Sequence, residues 1–186
     1  MTLTNYNIEQ LVELCRNDNQ HAQLEIYNRF YKAMYNTAFR IVKDSFEAED
    51  IMQDSFLTAF TKLSSIHDTK TFGSWLKRIV VNNSIYHYQK KIKKNEIAIE
   101  NVDYKLEQAN EVNYEHDYTS IKAKEVLQAM NELNDKYRII LNLNLVEGFD
   151  YEEICEIMNI SYANCRTIIS RAKNKLKETL QQTVIN

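Results

Sequence analysis

Apolar positions recur at intervals of three and four along most of the chain, which is the spacing of amphipathic helices and not the alternation of strands. The spacing predicts helices over 8–15, 22–42, 46–63, 74–93, 121–133, 137–146 and 151–158, with a last one opening after Ser161. Asp44 with Glu47, and Asp150 with Glu153, have the spacing of capping boxes at two of these starts. The polar stretch from Ser64 to Thr69 reads as a loop, and between 95 and 120 the apolar pattern fades. The chain contains no proline and only two glycines, Gly73 and Gly148, so helix breakers are scarce. The expected fold class is all-α: two small helical domains, 1–94 and 121–186, joined by a flexible acidic linker over 95–120.

The last two predicted helices form a helix-turn-helix. A short helix over 151–158 breaks at Asn159 and Ile160, and Ser161 is placed to cap a longer one. On that longer helix Cys165, Ile168, Ile169, Ala172, Leu176 and Leu180 fall on one stripe, the expected core face. Thr167, Ser170 and Asn174 lie opposite, flanked by Arg166 and Arg171, with Asn164 and Lys175 nearby. No acidic residue occurs from Tyr162 through Lys177, while Arg166, Arg171, Lys173, Lys175 and Lys177 all do. Such a strip attracts a phosphate backbone. Arg and Asn side chains can read base edges, whereas Lys mainly contacts phosphates. The plainer alternative is a solvated basic face on an ordinary terminal helix.

A formal net charge of −3 argues against a nucleic-acid binder only if charge is spread evenly, and it is not. Residues 70–94 carry Lys70, Lys77, Arg78, Lys90, Lys91, Lys93 and Lys94 with no Asp or Glu, whereas acid is concentrated in 44–54 and 96–117. Within that basic block Phe72, Trp75, Leu76 and Ile79 share a stripe expected to be core. Tyr88 projects with Lys77 and is the candidate for contacting an exposed base, and Asn82 and Asn83 offer amides. Upstream, Asp50, Gln53 and Asp54 share one exposed helix face, either solvated or an acidic docking surface for a basic protein. The chain lacks HExxH, Glu-x-x-His and glycine-rich phosphate-loop patterns, so no catalytic group, cofactor or metal site is expected. Cys15, Cys155 and Cys165 form no CxxC pair and are expected to be reduced thiols, the last two at core positions. No targeting or membrane-spanning stretch is read, so a cytoplasmic location without membrane insertion is expected.

Taken together, the two halves resemble the extracytoplasmic-function (ECF) group of bacterial RNA polymerase sigma factors. The run from Ala48 through Leu57 is similar to that family's polymerase-docking helix, and Phe72-Gly73-Ser74-Trp75-Leu76 with Ile79 and Asn82 to its promoter-melting segment. Tyr137 to Leu141, Val146-Glu147-Gly148, Tyr151 to Ile154 and Arg171 to Leu176 resemble its fourth conserved region. The resemblance implies a non-enzymatic protein that binds core RNA polymerase and directs it to promoter DNA. It implies that Asp50, Gln53 and Asp54 contact the clamp helices of the largest polymerase subunit. The loop bearing Ser64, Ser65, His67 and Lys70, with Asn82 and Asn83, would hold an unpaired minus-ten base, near the Lys77 and Tyr88 singled out above. Asn164, Arg166, Thr167, Ser170, Arg171, Asn174 and Lys175 would face the minus-thirty-five element. The acidic linker would run toward the RNA exit path, and the resemblance also allows an anti-sigma partner. Tyr86 and Gln89 stand where family members commonly carry Asp and Arg, Asn134 where a proline is usual, and Cys165 where a valine is common. Two rival readings remain at this level: a two-domain regulator that binds operators unaided, and a protein that sequesters a regulator through its acidic face.

Overall fold

A computed structural model describes residues 3–99 and 121–185, and every regular element among them is helical. They fall into two compact units, divided within the stretch outside the described residues.

The first unit contains α1 (Ile8–Arg16), α2 (Gln20–Val42), α3 (Ser45–Thr61) and α4 (Phe72–Ile99). Asn7 and Gln10 close a full capping box on α1, and Asn19 accepts from the Ala22 amide at the start of α2. After α2 the chain reverses at Lys43, which takes a left-handed φ of 59°. Asp44 then accepts from the amides of Phe46 and Glu47. The predicted box there is only half made, because the Glu47 carboxylate is ion-paired to Lys91 of α4 at 2.9 Å. Helix α2 packs against α3 and α4 around Ile26, Ile41, Ile51, Phe56, Phe72 and Leu76, all buried.

The predicted core stripe of α4 needs correction. Trp75 and Ile79 are only half-buried, while Val80, Val81, Ser84 and Ile85 join Phe72 and Leu76 inside. The cause lies in two small residues. A Cβ on Gly73 would stand 3.1 Å from the Phe30 ring, so this glycine sits in the α2 seam. Ser84 is also fully buried and satisfies its hydroxyl on the Val80 carbonyl at 2.7 Å. Weighting only large apolar residues turned the buried face by roughly 100°, one helical step. Helix α4 also continues through Ile99, so the first five residues of the expected linker are helical; 100–120 lie outside the described residues.

The second unit contains α5 (Ile121–Asn131), α6 (Asp135–Leu141), α7 (Tyr151–Met158) and α8 (Tyr162–Ile185). Asn134 caps α6 by accepting from the Tyr137 amide at 3.0 Å, so an Asn at this position supports the helix start. The single helix predicted over 137–146 is instead α6 followed by a π-helical turn, Asn142–Val146. Buried Asn142 donates its side-chain amide to the Arg138 carbonyl, and its own carbonyl accepts from Glu147, five residues on. Gly148, at φ 83°, turns the chain so that the Phe149 amide returns to the Leu143 carbonyl. The Asp150/Glu153 capping box opens α7 as predicted, and Asn159 ends it in the left-handed region.

Helix α8 is seated by Cys165, Ile168, Ile169, Ala172 and Leu176, all buried, while Leu180 is only half-buried. The three cysteines are free thiols, but Cys155 is half-buried and not at a core position as expected. Burial pushes the Cys15 thiol up to about 11, and burial with a hydrogen bond to Cys155 does the same for Cys165. Both are therefore neutral at ordinary pH. No helix among the described residues is long and apolar enough to cross a membrane.

Replacing Ile169 by Ala should cost about 2 to 5 kcal/mol, since the methylenes leave a cavity between α8 and its neighbours. Asp150→Ala should cost about 1 kcal/mol through the lost cap. Urea denaturation checks both, and a smaller loss for Ile169→Ala than for Asp150→Ala would contradict the seating of α8.

Candidate nucleic-acid interface

Helix α8 presents the basic face with every predicted member outward. Asn164, Arg166, Thr167, Ser170, Arg171, Asn174 and Lys175 are all exposed, directly behind the buried stripe. Ser161 accepts from the Asn164 amide at 3.3 Å and so fixes the start of the helix. Arg166, Thr167, Ser170 and Arg171 line an open depression together with Tyr162 and Ala163. The Thr167 hydroxyl donates to the Ala163 carbonyl at 2.8 Å, leaving its oxygen free to accept. Lys175 is ion-paired to Glu178 at 3.0 Å, with both side chains more than half exposed. Such a pair is worth about 1 kcal/mol or less and exchanges readily for another anion. Tyr162 escaped the sequence reading although it lies one turn before Arg166. Its ring is 6.2 Å from that of Tyr151, at the start of α7.

In the first unit, Ser64, Ser65, His67 and Lys70 are exposed on the connection between α3 and α4, anchored by buried Leu63 and Ile66. Two short 3-10 turns, Leu63–Ser65 and Thr69–Thr71, shape it. Its main tether comes from α1: the Arg16 guanidinium donates to the Leu63 carbonyl at 3.2 and 3.4 Å and to the Ile66 carbonyl at 2.7 Å. Nothing in the sequence marks Arg16, because the contact spans about fifty residues. Asp68 accepts from the Lys70 amide, and Thr71 donates to the Asp68 carbonyl. The connection is therefore hydrogen-bonded into shape while Ser64, Ser65, His67 and Lys70 stay outward.

The structure does not bring the four α4 candidates onto one surface. Asn82 is exposed, whereas Asn83 is half-buried and donates to the Ser55 hydroxyl at 2.9 Å, tying α4 to α3. Lys77 and Tyr88 are half-buried and sit some 120 to 140° around the helix from Asn82. The exposed aromatic on the Asn82 side is Tyr86.

On α3 the three polar candidates, Asp50, Gln53 and Asp54, are exposed together, with Gln53 donating to Glu49 at 3.2 Å. Two large apolar side chains complete the same face: Phe46 is 81% exposed and Leu57 65%. Positions 46, 50, 53 and 57 have the four-three-four spacing of one stripe, a signal that was readable once the core side was known. Among the described residues no cluster of His, Cys, Asp and Glu has the makings of a metal site.

Comparison with known proteins gives a consistent family context. Residues 26–93 match the sequence profile of Sigma-70 region 2, and residues 123–176 that of Sigma-70, region 4. The ECF RNA polymerase sigma factor SigM of Bacillus subtilis is 32% identical over 82% of this chain and 91% of its own length. SigW of the same organism, also an ECF RNA polymerase sigma factor, is 26% identical over 94% of this chain and 97% of its own. Among solved structures, the sigma factor RpoE of Bartonella quintana, in complex with the anti-sigma factor NepR, has a TM-score of 0.61 at 22% identity. The match covers 84% of this chain and 95% of that one. CnrH, solved with the cytosolic domain of CnrY, has a TM-score of 0.55 at 19% identity, covering 94% and 97%.

Arg16→Ala should take the donor from the Ile66 carbonyl, leave the Leu63 carbonyl with the Ile66 amide alone, and speed amide hydrogen exchange across 63–71. The loss corresponds to about 1 to 3 kcal/mol of local stability. Unchanged exchange in that segment would remove Arg16 as its tether.

Proposed function

Because the chain belongs to the ECF sigma factors of the sigma-70 family, which bind core RNA polymerase and direct promoter recognition and transcription initiation, we propose how its surfaces divide that work. The two rival readings, an unaided operator-binding regulator and a sequestering protein, give way to this family assignment. The protein is a transcription initiation factor, and in our reading it performs no bond-making of its own and acts in the cytoplasm on core polymerase and promoter DNA.

The exposed face of α8 enters the major groove at the minus-thirty-five element. Arg166 and Arg171 supply guanidinium forks suited to guanine edges; Thr167, Ser170 and Asn174 supply neutral hydrogen-bonding groups, and Asn164 and Lys175 meet the backbone. Ser64, Ser65, His67 and Lys70 hold an unpaired base of the minus-ten element, with Asn82 alongside. Lys77 and Tyr88 flank this surface, and Asn83 serves it indirectly by fixing α4 to α3. Asp50, Gln53 and Asp54 form the docking face for the polymerase clamp helices, and exposed Phe46 and Leu57 lend it apolar contact at both ends. The domain assignment follows: 1–94 for docking and melting, 121–186 for duplex recognition, and an acidic connection over 95–120 whose first residues prolong α4. An anti-sigma partner belongs to the same reading, as the Bartonella neighbour was solved with one.

The observation that carries this proposal is α8 itself, whose buried side fixes it to its own unit while every candidate reading residue stays outward. Run-off transcription with purified core polymerase tests the whole scheme. Asp50→Ala combined with Asp54→Ala should abolish the transcript while helical content is retained; normal transcription would refute the docking assignment. Arg171→Ala should cost about 1 to 3 kcal/mol in promoter binding and relax preference at one base pair. Equal loss on all promoters would make Arg171 a phosphate contact. If α8 neutralises about four phosphates, duplex affinity should fall with salt at a logarithmic slope of about −3.6.

A further inference from the structure

Tyr86 is 62% exposed at the middle of α4, with the His87 ring edge-on at 5.8 Å. Helical spacing places Asn82 one turn before it, Gln89 and Lys90 one turn after, and Lys93 two turns after. All four are exposed. The ring thus stands between two amides on a face that continues into lysines, within a segment that has no acidic residue from Lys70 to Lys94. An aromatic surface offers any base its π face, amides offer hydrogen bonds to base edges, and lysines answer the phosphates between bases. A duplex shields the faces of its bases, so this combination suits unpaired nucleic acid. The connection over 63–71 is pre-shaped by Arg16, and α4 begins directly at its end, about 21 Å along the helix from Tyr86.

We propose that Tyr86 is a stacking platform for an unpaired base of the melted promoter strand, flanked by Asn82 and Gln89 and by the phosphate-binding lysines Lys90 and Lys93. The site rests on the minus-ten reading given above and deepens it. Base capture on α4 thereby depends on a face-to-face contact that tolerates any base, while the amides on either side supply the preference.

The test uses the full chain bound to core polymerase and a promoter fragment selected from random DNA by the wild-type holoenzyme. The probe is the single non-template strand of that fragment. Tyr86→Ala should weaken binding of this strand about ten-fold, equivalent to about 1.4 kcal/mol, and lower permanganate reactivity of the melted region on duplex template. Tyr86→Phe, which keeps the ring, should stay within about two-fold of wild type. Affinity for core polymerase and protection of the minus-thirty-five duplex should be unchanged in both variants. Wild-type strand binding by Tyr86→Ala would overturn the proposal. So would equal losses in the Ala and Phe variants, since the hydroxyl and not the ring would then be the contact. If the wild-type holoenzyme selects no fragment and makes no run-off product, the minus-ten reading falls and this site falls with it. Selection and transcription by wild type with an unaffected Tyr86→Ala removes this site alone.

Discussion

A helix offered to DNA must be held on one side firmly enough to leave the other side free, and for α8 in the proposed role that constraint is met by the burial of Cys165, Ile168, Ile169, Ala172 and Leu176 beneath Arg166, Thr167, Ser170 and Arg171. The unit that does the holding is small, and small units bury little apolar surface per residue. Its helix ends are accordingly well closed: Asn134 caps α6, the Asp150/Glu153 box opens α7, and Ser161 caps α8. The π turn at Asn142–Val146 adds a further device. Asn142 spends its amide on the helix behind it and its carbonyl on Glu147, which satisfies buried polar groups where the helix widens before Gly148.

How legible all this was in the sequence depended on whether the information was local. Capping residues act within three positions, so the starts of α7 and α8 could be placed from composition alone, as could the outward set on α8. The π turn was not legible, because Asn142 looks like any polar residue in a helix until its neighbours are seen to be buried. The α4 face was misjudged for the opposite reason: Gly73 and Ser84 contribute almost no apolar signal, yet a Cβ on Gly73 would stand 3.1 Å from the Phe30 ring and Ser84 is fully buried. That error had a functional consequence, since it drew attention to Tyr88 and away from Tyr86. Arg16 was invisible from the sequence, as a tether from α1 to the Leu63 and Ile66 carbonyls has no local signature. Half of the Asp44/Glu47 box failed because the ion pair with Lys91 claimed the Glu47 carboxylate.

In the proposed scheme the acidic face of α3 and the basic faces elsewhere divide the work by charge. Phe46 and Leu57 at the ends of the acidic stripe matter here because charge alone gives steering and orientation more than affinity. An interface held only by Asp50, Gln53 and Asp54 would be screened at physiological salt. In the proposed docking, two large apolar side chains on the same stripe would provide area whose burial depends little on ionic strength, so that docking to the polymerase would persist under conditions that weaken DNA contacts.

The modest size of each proposed nucleic-acid surface then becomes intelligible. A face that neutralises about four phosphates gives non-specific affinities of the order of 10⁻⁴ to 10⁻⁶ M at physiological salt, too weak to hold a promoter. A net charge of −3 works in the same direction, since the chain as a whole repels a polyanion that only its basic faces attract. Weakness in isolation is useful for a factor that must not occupy DNA without an enzyme attached. Once the polymerase holds the chain, the second contact is made at an effective concentration set by the assembly, and two weak contacts multiply. Melting follows the same logic: extruding a base costs a few kcal/mol, more than a single exposed ring recovers, so the proposed platform on α4 would be productive only after the proposed duplex contact and docking face have placed the strand beside it.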